Sequence, residues 1–170
     1  LLFEMHAARS PEFVSFLAPL VRDVLAVDGP AYEVDNLQRV YLWVEPGLIR
    51  VDADEVTYPS HIIHRYRLEC ALLDDDLPVR DLPGAWRDGL DRLLGVTPPD
   101  DRDGCMQDIH WYGGDFGYFP TYTLGALAAA QLFSAAKSQQ PEILGAIASG
   151  DFSPLRTWLA ENVHSKGAFV

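Results

Sequence analysis

Apolar residues recur at helical spacing in segment after segment of this chain, and the recurrences are bracketed by residues that start or stop helices. Ser10-Pro11-Glu12 offers an N-cap, a proline at the first helical position and an acid in the first turn. Phe13, Phe16, Leu17, Leu20, Val21 and Leu25 then form a stripe running up to Val27, with Pro19 a predicted kink, and Asp28-Gly29-Pro30 closes it. Residues 1–9 read as a helix already in progress, which suggests a fragment of something longer.

The same reasoning predicts a short helix over 33–39 and a long one over about 53–75, delayed or kinked by Pro59. In the long helix Val56, Ile62, Ile63, Tyr66, Leu68, Ala71 and Leu72 are expected on the apolar side, against Arg65, Arg67 and Glu69. A further helix carries Trp86, Leu90, Leu93 and Leu94 between an Asp81 cap and a Gly95 stop, and three more are predicted over about 120–138, 141–148 and 154–164. One stretch breaks the pattern. Val40-Tyr41-Leu42-Trp43-Val44 and Leu48-Ile49-Arg50-Val51, joined by Glu45-Pro46-Gly47, predict a short β-hairpin or ribbon near 40–51. The expected fold class is therefore mainly α, a single helical region over residues 1–170 with one small ribbon.

A hydrophobic share of 48% is ample for a soluble core. The net charge of −12 argues against nucleic acid or an anionic membrane as partner, since both reward clustered Lys and Arg. No signal peptide or spanning run is evident. Cys70 and Cys105 form no CxxC pair, which favours a reducing, cytoplasmic setting.

Residues 104–125 stand apart. They gather Gln107, Asp108, His110, Trp111, Tyr112, Tyr118 and Tyr122 among five glycines and pass directly into an Ala/Leu-rich helix. So many hydrogen-bonding aromatics on hinged backbone fill a core poorly and suit a site. His110 could donate to a developing oxyanion, with a nearby carboxylate fixing its tautomer, or could simply be satisfied by a backbone carbonyl. Tyr118 and Tyr122, four residues apart, share a face if the following helix has begun; a phenol is a neutral donor at pH 7. Core packing is the alternative, and it suits Phe116 and Phe119 better.

Arg50 could clamp a substrate carboxylate, although an internal pair with Asp54 or Glu55 is the more economical reading of the residues alone. His61 and His64 have the i, i+3 spacing of metal ligands but lack a third ligand at a fixed offset, so they give only a weak signal. The acidic runs 74–76 and 100–103 read as solvated faces.

Two segments carry a resemblance. Ile49-Arg50-Val51-Asp52-Ala53-Asp54 resembles the I-R-x-x-A-D motif, and Gly104-Cys105-Met106-Gln107-Asp108-Ile109-His110-Trp111 matches the G-x-x-Q-D-x-H-W motif, of the zinc-dependent carboxypeptidase Taq family. The likeness extends through Glu55-Val56-Thr57-Tyr58, His61 and Arg65 and covers practically the whole chain.

The resemblance implies a helical fold with a deep groove, similar to neurolysin and angiotensin-converting enzyme, and removal of C-terminal amino acids from peptides. It also implies a zinc ion bound by an HExxH helix and a downstream H-E-S segment. Neither occurs here, so the zinc would be held by residues outside this chain, and the chain alone is expected to be inactive. His110 with Tyr118 or Tyr122 would stabilise the oxyanion. Arg50, Gln107 and Asp108 would lie on the substrate-binding side. The partners implied are a peptide and, as the family tends towards dimers, a second copy of the chain. A non-catalytic helical interaction module or a degenerate relative is the alternative.

Overall fold

Helices account for the regular structure of the chain, which a computed structural model describes over residues 1–167. They divide between two compact units, residues 1–42 with 126–167 and residues 43–125.

In the first unit, Leu2–Ala7 form a turn of π-helix, so the helix in progress at the start is a wider coil than anticipated. Ser10 caps α1 (Pro11–Leu25) through its hydroxyl, which accepts the Phe13 N–H, and Pro11 opens the helix. A 3₁₀ turn (Pro30–Tyr32) leads to α2 (Val34–Tyr41). Helix α5 (Pro120–Gln139) contributes its residues from Ala126 onward, and α6 (Glu142–Ala148) and α7 (Ser153–Asn162) follow. Their core is Ala7, Phe133, Ala136, Ile143, Ile147, Leu155, Trp158 and Leu159. The Trp158 indole, too large to bury without a partner, donates to Gln139 Oε1 at 2.8 Å.

In the second unit a 3₁₀ turn (Arg50–Asp52) precedes α3 (Tyr58–Leu73), which packs against α4 (Leu82–Leu94). Gly95 ends α4 in the left-handed conformation, as expected, with φ 69°. Asp81 stands at the N-cap position but makes no side-chain cap bond, because the 3₁₀ turn Val79–Asp81 feeds straight into the helix.

Two expectations are corrected here. No strand forms among the described residues, so the predicted ribbon near 40–51 is absent. Val40 and Tyr41 complete α2 instead, and the backbone after them finds side chains rather than a facing strand. The Glu45 N–H donates to Asp54 Oδ2, the Leu48 carbonyl accepts from Gln107 Nε2, and the Arg50 N–H donates to Gln107 Oε1.

The second correction concerns α3, whose buried side is polar. His61, His64, Arg65 and Glu69 are buried alongside Ile62 and Leu68, whereas Ile63 and Tyr66 are 41% and 50% exposed. The apolar residues do not form one stripe because the helix turns its chemistry inward.

Among the described residues no helix is long and apolar enough to cross a membrane, and both cysteines are free.

Candidate active site

Helix α3 supplies Arg65, the 3₁₀ turn before it supplies Arg50, and the 104–125 stretch supplies Gln107 and Asp108. Asp108 receives both arginines. Arg50 Nη2 and Nε lie 2.7 and 3.0 Å from Oδ1, and Arg65 Nε lies 2.5 Å from Oδ2. Gln107 locks the same two elements together, its Oε1 accepting from Arg65 Nη2 at 2.8 Å and from the Arg50 backbone at 3.0 Å. Its amide nitrogen donates to the carbonyls of Leu48 and Asp103. Arg50 Nη1 also donates to the Tyr58 hydroxyl at 2.9 Å.

Arg50 is 6% exposed and Arg65 fully buried, so these charges persist only because they are paired. Burial by itself would raise the Asp108 carboxyl, but hydrogen bonds from Arg50 and the charges of Arg65 and Arg50 outweigh it and hold the group below the usual carboxylate range. For Arg65 the balance tips the other way: burial outweighs Asp108 and brings the guanidinium down to about 10, still charged at neutral pH. The internal pair expected for Arg50 is therefore made with Asp108. Asp54 is engaged with the N–H groups of Glu45, Val56 and Thr57.

Two residues beyond Asp108, His110 turns its Nε2 to the Tyr122 hydroxyl at 3.0 Å. Its Nδ1 lies 3.8 Å from Asp108 Oδ1 and makes no hydrogen bond. The ring packs on Phe119 at 4.5 Å and beside Tyr118 at 5.6 Å between centroids. Tyr122 sits under the Arg50 guanidinium, 5.1 Å from ring centroid to carbon. Burial first, then Tyr118, Tyr58 and Asp108, keep its phenol above the ordinary value against the pull of Arg50. The structure thus brings Arg50, Gln107, Asp108, His110, Tyr118 and Tyr122 into one cluster within the second unit, with Tyr118 half-exposed.

Arg65, Asp101 and Asp108 also border a cavity of about 350 Å³ walled mostly by aromatic and aliphatic groups such as Trp86, Met106, Trp111 and Phe116. Its lining suits an apolar group.

The residues present do not fit a metal. His61 and His64 are both buried, His61 Nδ1 lies 3.5 Å from Arg65 Nη1, and the His64 ring is wedged edge-on against Trp86 at 4.7 Å. A dication would share its ligands with a guanidinium. Among the described residues, no three His, Cys, Asp or Glu side chains converge as a metal centre.

Sequence reasoning placed Arg65 and Glu69 on the solvent side of α3. Glu69 accepts the Trp111 indole N–H and the Gly117 backbone N–H, and Arg65 ties Gln107 to Asp108. The available signal was their i, i+4 spacing in a helix whose apolar residues refuse to align on one stripe.

The sequence pattern of the family described as Carboxypeptidase Taq (M32) metallopeptidase matches residues 1–170. Thermostable carboxypeptidase 1 of Thermus thermophilus is 43% identical over 166 residues, covering 98% of this chain and 32% of that protein. Carboxypeptidase 1 of Bacillus subtilis is 39% identical over 167 residues, covering 98% and 33%. Among solved structures, the M32 carboxypeptidase of Deinococcus radiodurans R1 superposes with a TM-score of 0.88 at 38% identity, covering 95% of this chain and 33% of that one. The chain spans about a third of the length of these relatives.

Proposed function

Because the chain belongs to the carboxypeptidase Taq (M32) metallopeptidase family, we propose that it is the segment of a zinc-dependent carboxypeptidase that supplies hydrogen-bond donors and a substrate-binding wall. The zinc ligands in this reading belong to residues outside this chain. The observation that carries the proposal is the hydrogen bond between His110 Nε2 and the Tyr122 hydroxyl, with Tyr118 beside it.

Hydrolysis of a peptide bond drives negative charge onto the carbonyl oxygen, and donors fixed in advance lower that barrier. With its hydrogen on Nε2, His110 donates to the Tyr122 oxygen and leaves the phenolic hydrogen free to point at such an oxygen. A phenol is already neutral at pH 7, and burial moves the Tyr122 hydroxyl further in the same direction. Tyr118, half-exposed and 5.4 Å from Tyr122 between ring centroids, is the second candidate donor.

Arg50, Gln107 and Asp108 form the frame on which these donors stand. Arg50 is committed to Asp108 and Tyr58, which supports orienting a substrate-contacting group over gripping the substrate directly. Two guanidinium groups to one carboxylate in the Arg50–Asp108–Arg65 trio favour the approach of a peptide's free C-terminal carboxylate to this side. A helical groove like that of neurolysin, a cytoplasmic setting and a homodimer go with the same reading.

The test is His110→Phe in the full-length enzyme. A fall in kcat of about a hundredfold or more with unchanged zinc content is expected; a near-normal kcat removes the basis for the proposal.

A further inference from the structure

Glu69 is an acid of α3 buried to 3% exposure, and it uses both carboxylate oxygens on one loop. Oε2 accepts the Trp111 indole N–H at 2.7 Å, and Oε1 accepts the Gly117 backbone N–H at 2.5 Å. Those two residues are the chain neighbours of His110 and of Tyr118. The five residues between them, 112–116, are all exposed, so the loop has no buried side chain of its own to fix its span. Gly117 adopts φ 78°, a left-handed conformation that places its N–H on the carboxylate without the strain a side chain would bring.

The backbone bonds of the span are all short-range: Gly113 N–H to the Ile109 carbonyl at 2.9 Å, Gly114 N–H to the Trp111 carbonyl at 3.1 Å, Asp115 N–H to the His110 carbonyl at 2.8 Å and Phe116 N–H to the Gly114 carbonyl at 2.9 Å. They shape the turn but tie it to nothing outside itself. Trp111 is further held against Trp86 of α4, edge to face at 6.2 Å.

We propose that Glu69 is a positioning residue of the site, a two-pronged clamp that sets the separation of His110 and Tyr118 by holding Trp111 and Gly117 to α3. This rests on the reading of His110, Tyr118 and Tyr122 as donors to a substrate oxygen. A carboxylate is the side chain for the task, because it alone offers two acceptor oxygens and no donor. An amide of the same size sets its own N–H₂ against one of the two N–H donors and loses that prong. An aspartate, one methylene shorter, cannot keep both.

The experiment is steady-state kinetics on the full-length enzyme carrying Glu69→Gln, with metal content and the thermal unfolding midpoint measured beside it. Misplacing the two donors is expected to lower kcat by about ten- to a hundredfold, with KM within about threefold of the parent, since Glu69 acts through the loop and not on the substrate. Adding Trp111→Phe removes the indole donor and lets the amide carbonyl turn to Gly117. The double variant is therefore expected to be no slower than Trp111→Phe alone, a non-additivity that separate structural defects would not produce.

A lowered unfolding midpoint with kcat preserved overturns the proposal and leaves Glu69 a stabilising residue only. Loss of bound metal together with activity also overturns it. If His110→Phe is impaired and Glu69→Gln is not, the clamp alone fails. If His110→Phe retains normal kcat, the donor reading fails and takes the clamp with it.

Discussion

Arg65 and Asp108, 43 residues apart in sequence, share an ion pair of 2.5 Å in which the arginine side chain has no solvent exposure at all. Arg50 closes on the other carboxylate oxygen, so one anion compensates two buried cations. Such an arrangement contributes less through its attraction than it costs when one member is removed.

Asp108→Asn is accordingly expected to destabilise the full-length protein by about 3–5 kcal/mol, because it leaves two guanidinium groups facing a neutral amide. Equilibrium urea unfolding measures this. A change below about 1 kcal/mol would mean that the cluster is open to water.

The buried histidines of α3 predict acid sensitivity. Burial first, and the Arg65 charge second, push His61 down to about 4 and His64 down to about 3. In the unfolded chain each titrates near 6.5. Below that value the unfolded state takes up protons that the folded state refuses. The stability they contribute is therefore complete above about pH 6.5, and it is lost as pH falls towards 4 for His61 and 3 for His64. Each histidine adds a slope of up to about 1.4 kcal/mol per pH unit within its window. Asp108 acts in the same sense at lower pH: its depressed value makes stability that is present above about 3.9 and disappears as pH falls through the folded value. Urea midpoints at pH 7, 6 and 5 check the histidine part, and a flat profile across them would contradict it.

Gly89 of α4 gives a third test. A Cβ there would collide with Cε1 and Nδ1 of His64, and the ring cannot retreat because Trp86 packs edge-on against it. Gly89→Ala, which on helix propensity alone would stabilise by up to about 1 kcal/mol, is expected to destabilise by about 1–3 kcal/mol. Thermal unfolding of the full-length protein carrying the substitution reads the sign.

The helices were legible where their signals are local. Ser10 and Pro11 announced α1, Gly95 announced the end of α4, and Pro59 delayed α3, which begins at Tyr58. That Gln107, Asp108 and His110 stand side by side was legible too, because one motif keeps them within four residues. The partners were not. Nothing local says that Gln107 will take the carbonyl of Leu48 and so keep residues 43–49 out of a strand. Nor does α3 advertise that Arg65 and Glu69 face inward, since a helix with charged residues normally turns them to water. Both misreadings have one cause: the stabilising partner lies more than forty residues away.

That separation bears on when the site comes into being. Gln107 and Asp108 reach Arg50, Arg65 and Leu48 across 42 to 59 residues of chain. Closing a loop of that length costs roughly 3.5 kcal/mol from the length-dependent part alone, against helix formation in α3 that needs only its own residues. During synthesis Arg50 and Arg65 emerge first and remain ordinary hydrated cations until residue 108 arrives. The cluster needs residues 50, 65 and 108 together, so a chain that has not closed these contacts is expected to carry none of its chemistry.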